Sequence, residues 1–236
     1  MNRAVAVIQA RLGSQRFPGK MLADLGGRPV LEWVVRRVQS SRLVDRIIVA
    51  TTLEPLDDRL VEECQRLGVE AFRGSTNDVL RRFVDAIEGD AATEVVRICA
   101  DNPFIDPECI DEVIREYRSS EAQYAFNHRP AAACNYADGF GAEVISVKLL
   151  RKLDKSATSS THREHVTLAV TDGTIDAVVH ACTTVGLLAR PDLRFDVDTP
   201  DDLDHLALLV RHGGLGIGSS AADIVAASTV TTRSSS

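Results

Sequence analysis

The chain has 236 residues, 44% of them hydrophobic, and a net charge of -7, so it can fill one sizeable core but lacks the broad basic face that nucleic-acid binding requires. Its five cysteines form no C-x-x-C pair, which favours reduced thiols over a disulfide framework or a zinc site. The first apolar run has only about seven residues, too few for a signal peptide core or a spanning helix, and we expect a cytoplasmic protein with no membrane partner.

Three short apolar runs in the first hundred residues predict buried parallel strands. They are AVAVIQA at 4–10, RIIVATT at 46–52 and EVVRICA at 94–100. Between these runs, apolar residues recur at helical spacing over 30–38, 56–67 and 79–87. This alternation predicts an α/β fold with a mostly parallel sheet and right-handed crossovers. In open sheets of this type, ligands bind beyond the carboxyl ends of the strands.

The second half of the chain has a looser pattern. Apolar stretches at 123–126, 142–147 and 175–181 predict further strands of a mixed sheet. We interpret residues 1–212 as one domain, from which 128–142 and 172–185 form an excursion. The Gly, Ser, Thr and Ala composition of residues 213–236 predicts a mobile tail, with a short helix at 221–227 as the alternative.

The loop after the first predicted strand, ARLGSQRFPGKM, is the first candidate site. It differs from a Walker A loop, because five residues separate its glycines and Met21 stands where a Ser or Thr would meet magnesium. Backbone amides near Gly13, together with three cations, could instead hold the β and γ phosphates of a nucleoside triphosphate and stabilise departing pyrophosphate. The alternative is a solvated basic turn. The three cations are Arg11, Arg16 and Lys20.

The segment ICADNPFIDP places Asp101 at the end of a predicted strand. Pro103 biases the residue before it towards extended geometry, so the strand ends there without turning into a helix. A carboxylate at this edge could hold magnesium, with water and triphosphate oxygens as further ligands. The alternative is an aspartate that only ends the strand. Asp106, followed by proline, has the pattern of a helix N-cap.

A second acidic segment, RFDVDTPDDL, combines a helix start with two further carboxylates. Thr199 as N-cap and Pro200 at the first helical position account for the acidic residues that follow them. Asp196 and Asp198 alternate on an extended stretch, so both could meet a metal from one side, or they could form a structural pair. Carboxylates close to a basic loop suit magnesium-dependent phosphoryl chemistry, in which a cation lies between them and the phosphates.

Taken together, QARLGSQRFPGK and FDVDTPDDL resemble the signatures of the CMP-sugar synthetases, which include the CMP-KDO and CMP-sialate synthetases. The resemblance is closer to the cytidylyltransferases of spore coat polysaccharide biosynthesis. It extends over residues 3–210, through GSTNDVLRRF, RICADNPFIDP, NYADGFGAEV and HREHVT. It implies a three-layer, Rossmann-like domain of the nucleotide-diphospho-sugar transferase type, a site for CTP with Mg²⁺, and a homodimer formed through the excursion.

The resemblance also implies roles for individual residues. Lys20, Arg11, Arg16 and Asp101 are the predicted catalytic residues. The predicted metal ligands are Asp101, Asp196 and Asp198. The predicted nucleotide contacts are Ala10, Arg11, Gly13, Ser14, Arg16, Lys20, Ser75, Asp78 and Asp101. The CMP-KDO branch has a glutamine two residues before its strand-end aspartate, where this chain has Cys99.

The acceptor side is predicted from two polar segments. Arg163 could bind a carboxylate, phosphate or phosphonate by a bidentate fork. His165 could act as a base, or it could be a packed or capping residue. The predicted acceptor contacts are Asn135, Tyr136, Asp138, Glu143, Arg163 and His165.

The expected reaction is magnesium-dependent transfer of CMP from CTP to a small acidic acceptor, with release of pyrophosphate. A sugar acid such as a nonulosonic acid, a sugar phosphate and a phosphonate remain open as acceptors, and another nucleotide base is not excluded. Two other functions fit the same motifs. One is a glycosyltransferase that uses a nucleotide-sugar donor, and the other is a non-catalytic nucleotide-binding subunit.

Overall fold

One mixed β-sheet organises the protein. The computed structural model describes residues 2–128 and 134–234. The strands in that part of the chain are β1 (Ala4–Gln9), β2 (Arg46–Thr52), β3 (Glu70–Gly74), β4 (Glu94–Cys99), β5 (Tyr124–Phe126), β6 (Glu143–Ser146) and β7 (Val179–Ala181). Their order in the sheet is β3-β2-β1-β4-β6-β5-β7. The first four strands are parallel, β6 is antiparallel to both β4 and β5, and β7 is parallel to β5.

Helices cover both faces of this sheet. Those in the described residues are α1 (Val30–Val38), α2 (Asp58–Leu67), α3 (Val79–Ala86), α4 (Pro107–Ser119), α5 (Val147–Ser156), α6 (Ser160–Glu164), α7 (Leu168–Thr171), α8 (Pro200–Gly213) and α9 (Ala221–Ser234). Apolar residues of α1, α2 and α4 pack on one face, and those of α3, α5 and α7 pack on the other. The predicted three-layer α/β fold with a mostly parallel mixed sheet is confirmed.

Strand β1 shows why the first apolar run is continuous. Ala4, Ala6 and Ile8 lie in the core beneath α1, α2 and α4, whereas Val5 and Val7 lie in the core beneath α3 and α5. A strand covered on both faces has no solvent side, so it loses the alternation of apolar and polar residues. The three apolar runs in the first hundred residues form β2, β1 and β4, which are adjacent in the sheet.

The segment after α8 packs against the body of the protein, which corrects the prediction of a mobile tail for residues 213–236. Ala221, Ile224 and Val225 of α9 are buried in a third core with residues of α1 and α8. The buried guanidinium of Arg37 donates to the carbonyls of Ile217 and Ser219, each at 2.7 Å. The alternative helix at 221–227 was correctly placed, although α9 is longer. Residues 235 and 236 lie outside the described residues.

Replacing Arg37 with methionine is expected to lower the free energy of unfolding by about 2–4 kcal/mol, because buried carbonyls lose their donor and Asp106 loses a cation at 3.5 Å. Arg42→Met is the matched control, since the Arg42 side chain is 79% exposed and contacts Glu108 at 3.4 Å. Urea unfolding followed by circular dichroism checks both. Equal unfolding free energies for the two variants would contradict the anchoring role of Arg37.

The predicted excursion is only partly separate from the sheet. Residues 129–133 lie outside the described part of the chain. Tyr136 and Phe140 are buried in the third core, and β7 forms an edge of the sheet. Val178, Val179 and Val185 are exposed near that edge. Dimer formation through 128–142 and 172–185 stays a prediction.

Candidate functional site

The basic loop leaves the carboxyl end of β1 and is fixed at several points. The buried carboxylate of Asp57 accepts hydrogen bonds from the Leu12 amide at 2.8 Å and the Thr51 hydroxyl at 2.9 Å. Gly19 has φ +78, a left-handed conformation that favours glycine, and its amide donates to the Leu12 carbonyl at 2.9 Å. This turn directs Lys20 inwards, where only 7% of the residue remains exposed.

The ammonium group of Lys20 lies between the two acidic segments. Its Nζ donates to Asp101 Oδ2 at 3.0 Å, to the Val197 carbonyl at 2.7 Å and to Asp198 Oδ1 at 3.4 Å. Arg16 reaches the other oxygen of Asp198 at 3.0 Å. The structure therefore brings the loop and both acidic segments to one place, as the sequence analysis expected.

Local structure explains why the acidic segments converge. Asp101 follows β4, the neighbour of β1, and its carbonyl accepts from the Val197 amide at 2.8 Å. Thr199 and Asp202 form a capping box at the start of α8, which confirms the helix start expected there. Asp202 also accepts from the Asp198 amide at 3.0 Å. Burial alone would raise the pKa of Asp202, but hydrogen bonds from Thr199 and Asp198 lower it overall.

The arrangement of carboxylates fits a divalent cation. Asp101 and Asp198 both direct an oxygen to one cationic atom, Lys20 Nζ, and carboxylate oxygens are the ligands that Mg²⁺ prefers. Asp196 lies beside them, but both of its carboxylate oxygens contact Arg194. The distance from Asp196 Oδ2 to Arg194 Nη2 is 2.6 Å. Arg194 also contacts Asp198 Oδ2 at 2.9 Å. The geometry favours Asp101 and Asp198 as metal ligands over Asp196.

A cavity of about 730 Å³ opens over these residues, a size typical of ligand sites. Arg11, Gly13, Ser14 and the other loop cations line one side of it, and Asp101 and Asp198 line another. Ala10 is buried below the loop. Four other polar residues line the cavity and were not predicted from the sequence, namely Gln9, Gln15, Asn77 and Glu164.

The segment before α3 contributes to the cavity through a different residue than expected. Asp78 caps α3 by accepting from the Arg81 amide at 2.9 Å, and Ser75 Oγ accepts from the Asp78 amide at 3.0 Å. Asn77 and Val79, which flank Asp78, line the cavity. Ser75 and Asp78 therefore shape this turn, and a direct contact of either residue with the nucleotide stays a prediction.

The guanidinium of Arg163 is engaged with two carboxylates outside the residues that line the cavity, and its role as an acceptor ligand stays a prediction. Its guanidinium contacts the Asp78 carboxylate at 2.6 Å and the Asp154 carboxylate at 2.7 Å. These contacts raise its pKa against the opposing effect of burial, and they tie α6 to α3 and α5. His165, two residues further along, does line the cavity, with Glu164 beside it.

Asn135 and Tyr136 lie away from this cavity. The Asn135 amide donates to the Thr184 carbonyl at 2.7 Å, and its oxygen accepts from the Thr184 amide at 2.8 Å. Burial raises the pKa of Tyr136 to about 12. Both residues join the 134–142 segment to the segment after β7, and their role as acceptor contacts stays a prediction.

Glu143 lies on β6, and Asp138 lies in the segment before β6. The two residues belong to a second polar region. Glu143 is buried and accepts from Arg97 at 2.5 Å and from the Tyr124 hydroxyl at 2.9 Å. Asp138 accepts from the Gly139 amide at 2.9 Å. Burial raises the pKa of Asp138, and the nearby charge of Asp196 raises it further.

The fold and the site define the chain as a nucleotidyltransferase-type α/β protein, in which cations and carboxylates converge beyond the strand ends. Comparison with known proteins agrees. The profile of the family described as cytidylyltransferase matches residues 5–169, and the chain therefore belongs to the cytidylyltransferase family. It is a nucleotidyltransferase enzyme related to the CMP-sugar synthetases.

Two known proteins that are similar to this chain over nearly its whole length, and a third that shares its fold, agree with this assignment. The chain is 31% identical to the spore coat polysaccharide biosynthesis protein SpsF of Bacillus subtilis over 95% of this chain and 93% of that protein. A cytidylyltransferase structure from Leptospira borgpetersenii superposes with a TM-score of 0.89 at 26% identity, covering 100% and 96% of the two chains. The CMP:2-keto-3-deoxy-manno-octonic acid synthetase complexed with CTP shares the fold, with a TM-score of 0.68 at 21% identity over 89% and 99%.

In the described part of the chain, no helix has the length and apolar character needed to cross a membrane.

Proposed function

We propose that the protein transfers CMP from CTP to a small acidic acceptor in a Mg²⁺-dependent reaction that releases pyrophosphate. The observation that carries this proposal is the position of the Lys20 ammonium, within 3.0 Å of Asp101 and 3.4 Å of Asp198. Family membership supports cytidylyl transfer, and the CTP-bound synthetase of the same fold supports CTP as the nucleotide.

The cationic and the acidic side chains of the cavity have different roles in the proposed reaction. Arg11 and Arg16 have exposed side chains on the loop side of the cavity, where they can reach the β and γ phosphates of CTP. Lys20 is buried and fixed, so it can stabilise negative charge that develops as pyrophosphate leaves. Asp101 and Asp198 would hold Mg²⁺, which neutralises triphosphate charge when it is bound.

Catalysis in this scheme needs no covalent intermediate on the protein. An acceptor oxygen attacks the α-phosphorus in line, the bond to the β,γ-pyrophosphate breaks, and pyrophosphate carries away the electron pair. Positioning and charge neutralisation account for the rate. His165 is the cavity-lining group that could take the acceptor proton.

A pyrophosphate-release assay tests the proposal directly. We expect release with CTP, and little with ATP, GTP or UTP, when the panel contains an octulosonic acid, a nonulosonic acid, a sugar phosphate and a phosphonate. Excess EDTA should abolish the release of pyrophosphate from CTP. Consumption of a nucleotide-sugar without pyrophosphate would instead indicate a glycosyltransferase. CTP binding without turnover on any acceptor would indicate a non-catalytic subunit.

A further inference from the structure

A polar stripe runs from the candidate metal site into one face of the sheet. Arg97, Cys99 and Asp101 alternate along β4 and the residues after it, so their side chains point to the same face. Gln9 of β1 is the Cα partner of Cys99 and lines the same cavity. Towards the amino-terminal ends of β1 and β4, the residues on this face are apolar and pack on α3 and α5. The polar part therefore ends at Arg97.

Arg97 and His128 meet on one carboxylate at the inner end of the stripe. Arg97 contacts Glu143 Oε1 at 2.5 Å, and His128 Nε2 lies 3.1 Å from the same oxygen. Two buried nitrogen atoms beside this contact, Arg97 Nε and His128 Nδ1, have no hydrogen-bond partner among the described residues. Unpaired buried polar atoms are costly, so such a pair points to a ligand or to water.

The inner end of the stripe connects with the cavity. The Arg97 guanidinium also donates to Gln9 Oε1 at 3.4 Å, and Gln9 lines the cavity wall. The side chains of Arg97 and His128 are 14% and 22% exposed, respectively. A Cβ at Gly141 would lie 2.4 Å from His128 Cβ, so the glycine makes room for the imidazole at this place. The imidazole position is therefore built into the fold.

We propose that Arg97 and His128 form the specificity-determining end of the acceptor site, and that they bind hydroxyl or amide groups of a polyhydroxylated sugar acid. This rests on the proposed function. Arg97 Nε is a donor. When His128 Nε2–H donates to Glu143, Nδ1 is an acceptor. A hydroxyl chain supplies both partners, because each hydroxyl can accept one hydrogen bond and donate another.

The local charge argues against a second anionic group at this end. The cation of Arg97 faces the buried Glu143 carboxylate, and Asp138 is close enough to His128 for their charges to interact. An extra phosphate or carboxylate would therefore meet negative charge as well as the two nitrogens. Among the acceptors left open by the sequence, the arrangement favours a sugar acid over a small phosphonate or a sugar phosphate.

Two substitutions of His128 separate ligand binding from packing. His128→Gln keeps an amide near the Nε2 position, towards Glu143, but removes the group at the Nδ1 position. His128→Asn keeps a polar atom near Nδ1 and gives up the contact with Glu143. We expect His128→Gln to raise KM for the acceptor about tenfold and His128→Asn to raise it only about twofold, on the scale of one unpaired buried group. KM for CTP should stay within about twofold of wild type in both variants.

The assay uses CTP with 3-deoxy-manno-octulosonate, a nine-carbon nonulosonic acid, the six-carbon 2-keto-3-deoxygluconate and methylphosphonate. The longer acids should be preferred by wild type, and His128→Gln should reduce that preference. A larger KM effect in His128→Asn than in His128→Gln would overturn the inference, and so would a wild-type preference for methylphosphonate, although cytidylyl transfer would then still stand. Absence of pyrophosphate release with every acceptor would reject the proposed function itself, and this inference with it.

Discussion

Lys20→Ala is expected to lower kcat/KM for CTP by about 100-fold or more, the scale of losing one preorganised electrostatic contact. Lys20 is the cation that the fold buries at the site, and its ammonium is held by Asp101, Asp198 and the Val197 carbonyl. Alanine leaves the carboxylates without this cation and removes the donor that would face the triphosphate. Steady-state pyrophosphate release at saturating acceptor measures the effect.

The control for this variant is Lys152→Ala, because Lys152 is an exposed lysine on α5 that donates to the Asp176 carbonyl at 3.0 Å. Its kcat/KM should remain within about twofold of wild type, as expected for an exposed contact. Circular dichroism should show that both variants are folded. Turnover of Lys20→Ala close to that of wild type would remove this residue from the proposed mechanism.

Local sequence was sufficient for the central strands and for the basic loop. The runs at β1, β2 and β4 are apolar because both faces of these strands are covered. The loop cations follow β1 directly, so topology alone places them at the carboxyl edge of the sheet. Strand β3 was missed because EAFRG is a half-exposed edge strand without a continuous apolar run.

Partners distant in the sequence could not be predicted in the same way. Arg97 stands within an apolar run, and nothing near it indicates a carboxylate 46 residues away. Arg163 has the chemistry of an acceptor ligand, but Asp78 and Asp154 occupy its guanidinium in the folded chain. In the turn before α3, the choice between Asp78 and Asn77 as the residue facing the cavity depends on backbone geometry that composition does not determine.

The C-terminal segment has the composition of a mobile tail, although it packs against the body of the protein. Residues 213–236 are rich in Gly, Ser and Thr, a composition typical of linkers. Helix stability in proteins comes mostly from packing of an apolar face, and a few residues at helical spacing provide one here. Ala221, Ile224 and Val225 are those residues. Arg37, far away in α1, then holds the turn before α9.

Asp101→Asn is expected to lower kcat/KM for CTP by about 100-fold or more and to raise the Mg²⁺ concentration needed for half-maximal activity. The substitution keeps the size of the side chain but removes the charge that faces Lys20 at 3.0 Å. A neutral amide oxygen is a weaker ligand for a hard cation than a carboxylate is. Titration of pyrophosphate release against MgCl₂ measures both changes.

Asp196→Asn is the matched control, because it removes a carboxylate from the same acidic region. Asp196 pairs with Arg194 and has no contact with Lys20, so its loss should reduce kcat/KM by less than about tenfold and leave the Mg²⁺ dependence close to that of wild type. Equal shifts of Mg²⁺ dependence in the two variants would make Asp196 a metal ligand after all. An unchanged Mg²⁺ dependence in Asp101→Asn would instead remove the strand-end carboxylate from the metal site, since no other change in that variant affects the charge facing the cation.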